Sequence, residues 1–275
     1  MDKIYEKVIE AKDHILKETK LVPDIGLILG SGLGDLADEI KNPIIIEYKD
    51  IPHFPVSTVE GHSGQLIIGI LEGKSVIVMK GRFHYYEGYS MKEVTFPIRV
   101  MQQLGIKLLI LTNACGGLSS ELYPGALMFI NDHINFTGDN PLIGPNIDEF
   151  GPRFPDMTSI YDKELIKLGH DVAKNLSIKT HEGVYIGVSG PNYLSKAELK
   201  MVTLLGADVV GMSTVPESIV AKHGGIKVLG ISCVTDMAIP DELISISHEE
   251  VIEVANKTKP KFIKLVKGII NEVTT

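Results

Sequence analysis

The stretch Ile25-Gly-Leu-Ile-Leu-Gly-Ser-Gly-Leu-Gly34 joins a short continuous apolar run to a turn with glycine at three alternate positions. An apolar run without polar alternation reads as a strand covered on both faces, the habit of strands in α/β sheets. Glycines at 30, 32 and 34 let the backbone turn sharply and point N–H groups at an anion. A plain strand–helix turn stays open as the alternative. A dinucleotide fingerprint does not, because it needs glycine three residues after its second glycine and Asp35 stands there. Ser31, between two of the glycines, favours a small phosphate, since its hydroxyl can donate.

Outward from this stretch the same pattern repeats. Short apolar runs recur at 65–70, 75–79, 108–111, 126–130, 184–188, 207–210 and 226–231. Helix signals lie between them. Residues 3–18 carry Ile4, Val8, Ile9, Ile15 and Leu16 near helical spacing, and Pro23 ends that helix. Ser90-Met-Lys-Glu93 and Ser195-Lys-Ala-Glu198 match the capping box. Thr214-Val-Pro-Glu217 fits a third, with proline in the first turn. Ser247-His-Glu-Glu250 opens a last helix, which Pro260 is expected to kink or split. Alternation of strands and helices from end to end predicts an α/β fold, one domain over 1–275, with a central, largely parallel or mixed sheet flanked by helices. The one long irregular stretch, 136–160, is rich in glycine and proline, and a loop of that length inside a domain is usually functional.

Composition narrows the function classes. The formal charge of −8 argues against a nucleic-acid partner, which needs a basic face. It leaves room for a local cationic pocket that takes a small anion. Cys115 and Cys233 sit in apolar stretches and form no disulfide framework or zinc pattern, which suits a reducing cytoplasm. The N-terminus lacks the basic and apolar regions of a signal peptide. No apolar run approaches the roughly 20 residues a membrane span needs.

Two more segments carry anion-binding chemistry. In Gly81-Arg-Phe-His-Tyr-Tyr-Glu-Gly88, Arg82 can hold phosphate oxygens bidentately and His84 points the same way if the segment is extended. The rival is a surface loop with an ion pair to Glu87. In Gly211-Met-Ser-Thr-Val-Pro-Glu217, Ser213 sits at or beside a helix N-cap, where N–H groups and the helix dipole favour an anion; plain capping is the rival. Glu60-Gly-His62 adds a second histidine, though a lone loop histidine is usually just solvated. Together with Ser31 these sites can converge at the carboxyl ends of neighbouring strands, where open α/β sheets bind ligands.

Taken together, LGSGLG (29–34), TVEGHSGQL (58–66), GRFHYYEGY (81–89), TNACGG (112–117), NPLIGPN (140–146), RFPDM (153–157), GVYIGVSGP (183–191), GADVVGMSTVPE (206–217) and SHEEV (247–251) make the chain resemble the trimeric purine nucleoside phosphorylases nearly end to end. The resemblance implies reversible phosphorolysis of purine (deoxy)ribonucleosides to free base and (deoxy)ribose 1-phosphate, a purine-salvage reaction. Inorganic phosphate is then a co-substrate, and no metal or organic cofactor is implied. It further implies phosphate contacts from Ser31, His62, Arg82, His84, the Ala114 backbone and Ser213. Tyr86, Met212 and His248 would contact ribose, and Tyr193, Leu194 and Asp236 the purine. His84 and Asp236 would be catalytic, and Phe154 would close a neighbouring subunit's site in a cytoplasmic homotrimer.

Two base-reading positions depart from the family pattern. Members specific for 6-oxopurines carry glutamate where Gly190-Pro-Asn-Tyr-Leu194 places leucine, and asparagine where Ser232-Cys-Val-Thr-Asp236 places aspartate. Glu198 is close by, but its capping register with Ser195 gives it a structural role. The pair of changes implies weakened 6-oxopurine selectivity and acceptance of adenosine. Aspartate here also resembles the methylthioadenosine phosphorylases, which lack the GRFHYYEGY pattern and the SHEEV histidine. A non-catalytic nucleoside-binding protein is the reading from another class, and it would have no need of a phosphate site.

Overall fold

Helix α1 (Lys3–Glu18) buries Val8, Ala11 and Ile15, the stripe expected of an amphipathic opening helix. The computed structural model describes residues 3–30, 32–56, 58, 63–239 and 248–274, with the backbone only at His248 and Glu249. In chain order the strands are β1 (Ile25–Leu29), β2 (Lys41–Glu47), β3 (Gln65–Leu71), β4 (Lys74–Lys80), β5 (Leu108–Gly117), β6 (Leu127–Phe136), β7 (Thr180–Val188), β8 (Val209–Gly211) and β9 (Lys227–Met237). The further helices are α2 (Met91–Val94), α3 (Phe96–Leu104), α4 (Lys163–Asn175), α5 (Lys196–Leu204), α6 (Val215–His223) and α7 (His248–Glu272).

These strands form one mixed sheet in the order β2-β3-β4-β1-β5-β8-β7-β6-β9. β9 also pairs back onto β5, so β5, β8, β7, β6 and β9 close into a ring from which β1, β4, β3 and β2 extend. β1 runs parallel to β4 and β5, and β5 runs parallel to β9. The carboxyl ends of these four strands therefore face one side. Every residue of β1 is buried, as its unbroken apolar run predicts.

The capping boxes at Ser90 and Ser195 form as read, each serine accepting from the third helical N–H while the glutamate accepts from the serine N–H. The third does not. Thr214 is the N-cap of α6 but makes no side-chain cap bond. Its backbone lies at φ +72°, and Val215 N–H donates to the Ser213 carbonyl at 2.8 Å. This is a γ-turn, a strained shape for a β-branched residue, and it turns the threonine hydroxyl away from the helix end. Pro260 lies inside α7 without splitting it, because Phe262, Leu265, Val266, Ile269 and Ile270 hold that helix on the core. β2 had no counterpart among the predicted strands. It is a mostly exposed edge strand whose apolar run is only Ile44–Ile46, directly after Pro43, a residue that argues against a strand interior.

Close packing fixes the turn after β1. Gly32 has φ +74°, and a Cβ there would sit 2.6 Å from the Ala255 Cβ on α7. Gly32→Ala combines left-handed strain with overpacking and is expected to cost about 2–4 kcal/mol, read as a lowered denaturant midpoint.

Candidate active site

At the carboxyl ends of β1, β4, β5 and β9 lies a cavity of about 510 Å³. It gathers Arg82, His84, Tyr86, Ala114, Tyr193, Leu194, Met212, Ser213 and Asp236, brought together from five separate stretches of chain. Ser31 and His62 lie outside the described residues, as does the side chain of His248. Phe154 is not in the cavity. It is 88% exposed and lines a separate hollow with Arg153 and Met157.

One end of the cavity is polar. Arg82 leaves β4 through Gly81 and is only 2% exposed, so it is not part of a surface loop. Its Nε lies 3.3 Å from the Glu217 carboxylate on α6, and both side chains are 2% exposed. The pair fixes the guanidinium plane. Arg82 then donates from Nη1 to Ser213 Oγ at 2.8 Å and, at a longer 3.4 Å, to Thr214 Oγ1. Asn113 Nδ2 donates to the same Thr214 oxygen at 3.0 Å. The γ-turn thus gives the threonine hydroxyl to Arg82 and Asn113 rather than to the helix. Ser213 immediately precedes the N-cap of α6, where the positive end of the helix dipole adds to the Arg82 charge. A hydroxyl, a guanidinium and a helix terminus thus meet at one end of the cavity, an arrangement that can hold an anion.

His84 stands beside it and stacks on Tyr86, ring centroids 4.7 Å apart. Its Nδ1 lies 3.2 Å from Glu87 Oε1, and its backbone N–H donates to the same oxygen at 2.7 Å. The second Glu87 oxygen accepts from the Thr58 N–H and hydroxyl. Burial alone would raise the Glu87 carboxyl, but the bonds from His84 and Thr58 outweigh it and bring it from 4.5 down to about 2. The carboxylate therefore stabilises the fold fully above pH 4.5, and that contribution is lost as pH falls toward 2. Glu87→Gln is expected to destabilise by about 1–3 kcal/mol at neutral pH and to flatten acid unfolding across this window. Burial also pushes the Tyr86 hydroxyl up to about 12, so it stays protonated and can donate.

Beyond these residues the lining is largely apolar, apart from the Tyr193 hydroxyl and Thr235 and Asp236 at the end of β9. Leu194 and Val210 pack there against a small cluster that includes Leu199 and Ala238. Asp236 is half-buried, and burial raises its carboxyl above the ordinary value, partly countered by Thr235. The Thr235 hydroxyl lies 3.0 Å from Asp236 Oδ1 and 3.2 Å from the Cys115 carbonyl oxygen, sharing one proton between two acceptors. No lysine, arginine or histidine among the described residues forms an ion pair with Asp236. Glu198 is exposed and serves its capping box, as expected.

Sequence reasoning missed Asn113, Thr214 and Glu217 as members of the polar end. Asn113 left a signal, as an amide in an otherwise apolar run. Glu217 left none, because its partner Arg82 is 135 residues away. Among the described residues no group of three or more His, Cys, Asp or Glu could hold a metal ion, and no helix is long and apolar enough to cross a membrane.

The phosphorylase superfamily model matches residues 24–271. Purine nucleoside phosphorylase 1 of Bacillus subtilis (strain 168) is 60% identical over 265 residues, covering 96% of this chain and 98% of that protein. Among solved structures, schistosoma purine nucleoside phosphorylase in complex with hypoxanthine superimposes with a TM-score of 0.94 at 44% identity, covering 98% of each chain. The Schistosoma mansoni enzyme in complex with adenosine does so with a TM-score of 0.94 at 43% identity, again covering 98% of each chain.

Proposed function

The chain belongs to the phosphorylase superfamily and, within it, to the purine nucleoside phosphorylases, and we propose that its two-ended cavity transfers the pentosyl group of a purine nucleoside to inorganic phosphate. The observation that carries this reading is the Arg82–Ser213 hydrogen bond at one end of a cavity whose other end holds Asp236 among apolar side chains.

Phosphate sits against Arg82, Ser213, His84 and the Ala114 backbone, with Ser31 and His62 completing its shell. Tyr86, Met212 and His248 hold the ribose between the two ends. Tyr193, Leu194 and Asp236 take the base. As the C1′–N9 bond breaks, its electron pair goes to the purine and positive charge grows on the sugar. A phosphate oxygen bonds to C1′, and the dianion stabilises that charge before attacking. A proton from Asp236 at N7 neutralises the departing base. Fixed charges and dipoles in a dry site are the main source of such stabilisation. Glu217 and Glu87 do not touch substrate. They fix the guanidinium of Arg82 and the ring of His84 respectively.

No metal or organic cofactor takes part, and the working form is a cytoplasmic homotrimer in which Phe154 closes a neighbouring site. Strong exposure of that aromatic ring supports this placement. The test is base release from adenosine, inosine and guanosine with phosphate varied from zero. A rate that saturates with phosphate and vanishes without it supports phosphorolysis. Phosphate-independent binding with no turnover marks a nucleoside-binding protein. A strong preference for 5′-methylthio over 5′-hydroxy substrates marks a methylthioadenosine phosphorylase.

A further inference from the structure

We infer that this site selects 6-aminopurines over 6-oxopurines, with Asp236 reading the N7 and C6 edge of the base. The inference rests on the phosphorylase reading, because phosphate at Arg82 and Ser213 leaves the Asp236 end for the purine.

The base end offers few polar side chains. Asp236 is the only carboxyl group among the described residues that line the cavity. A Cβ on Gly116 would lie 3.1 Å from its Oδ2, so the strand opposite confines the group from one side. The carboxyl lies against the Thr235 hydroxyl, and among the described residues no cation forms an ion pair with it.

A 6-aminopurine presents an acceptor at N7 and a donor at the 6-amino group, whereas a 6-oxopurine presents two acceptors, N7 and O6. A protonated carboxyl offers one donor and one acceptor, which matches the first edge at both points. An ionised carboxylate offers acceptors only and still matches the amino group. In neither state does it offer the two donors a 6-oxopurine requires, so one oxygen is always set against O6. An asparagine amide has two N–H donors and can serve either edge. Leu194 adds no acceptor for the N1–H of a 6-oxopurine.

Binding of the free bases separates this inference from turnover. Calorimetry on the full chain in saturating phosphate should show adenine bound at least tenfold more tightly than hypoxanthine. The isosteric Asp236→Asn variant should raise the hypoxanthine-to-adenine affinity ratio at least tenfold. Hypoxanthine bound as well as adenine by the native chain, or a ratio unmoved by Asp236→Asn, would overturn the inference. Tight adenine binding without phosphorolysis of any nucleoside would support the base preference and instead overturn the reaction.

Discussion

Replacing Arg82 with alanine is expected to destabilise the chain by about 3–5 kcal/mol and to lower kcat/KM for phosphorolysis by at least about 10²–10³-fold. The first effect follows from Glu217. Its carboxylate is 2% exposed and its ionic partner is the Arg82 guanidinium, so the substitution strands a buried charge. The second follows from loss of the cation at the polar end. Glu217→Ala should also cost stability, by removing the carboxylate that balances the buried guanidinium. The double variant should be less destabilised than the sum of the two, because neither charge is then left alone. Urea midpoints for the four chains give the coupling, and additive single effects would contradict the pairing.

Asp236→Ala is expected to reduce kcat by about 10²–10⁴-fold, the range for loss of a positioned general acid. The fold should not suffer in proportion. Burial raises the carboxyl of Asp236, so the folded state holds its proton more tightly than the unfolded state does. Such a group lowers stability as pH rises through the unfolded value near 3.8 and the raised folded one. The isosteric Asp236→Asn variant should therefore be at least as stable as the native chain at pH 7 and lose that advantage in acid. Steady-state kinetics beside thermal unfolding at two pH values checks both parts. A large loss of Tm with Asp236→Asn would show the residue to be structural.

What could be read from residues alone follows a physical boundary. β1 was legible to the residue, because an unbroken apolar run into a glycine turn has few other uses. The boxes at Ser90 and Ser195 were legible because capping is local chemistry. Thr214 has the same local pattern and fails, since Arg82 and Asn113 compete for its hydroxyl from distant strands. Closure of the ring through β5 and β9 was equally hidden, because strand partners 119 residues apart leave no local signal. At the site, Arg82, His84 and Ser213 could be picked out by the chemistry of each residue, and the structure places them around one cavity. The glutamates that orient Arg82 and His84 differed in legibility: Glu87 is three residues from its partner, and Glu217 is in another part of the chain.

The central claim is that the pentosyl group passes to phosphate. Its most direct measurement is the fate of the sugar in a reaction of adenosine with inorganic phosphate, followed by phosphorus NMR with parallel quantification of free base. Ribose 1-phosphate appearing in one-to-one proportion with adenine, and neither product forming when phosphate is omitted, is the predicted result. Free ribose, or base released at an unchanged rate without phosphate, would contradict it.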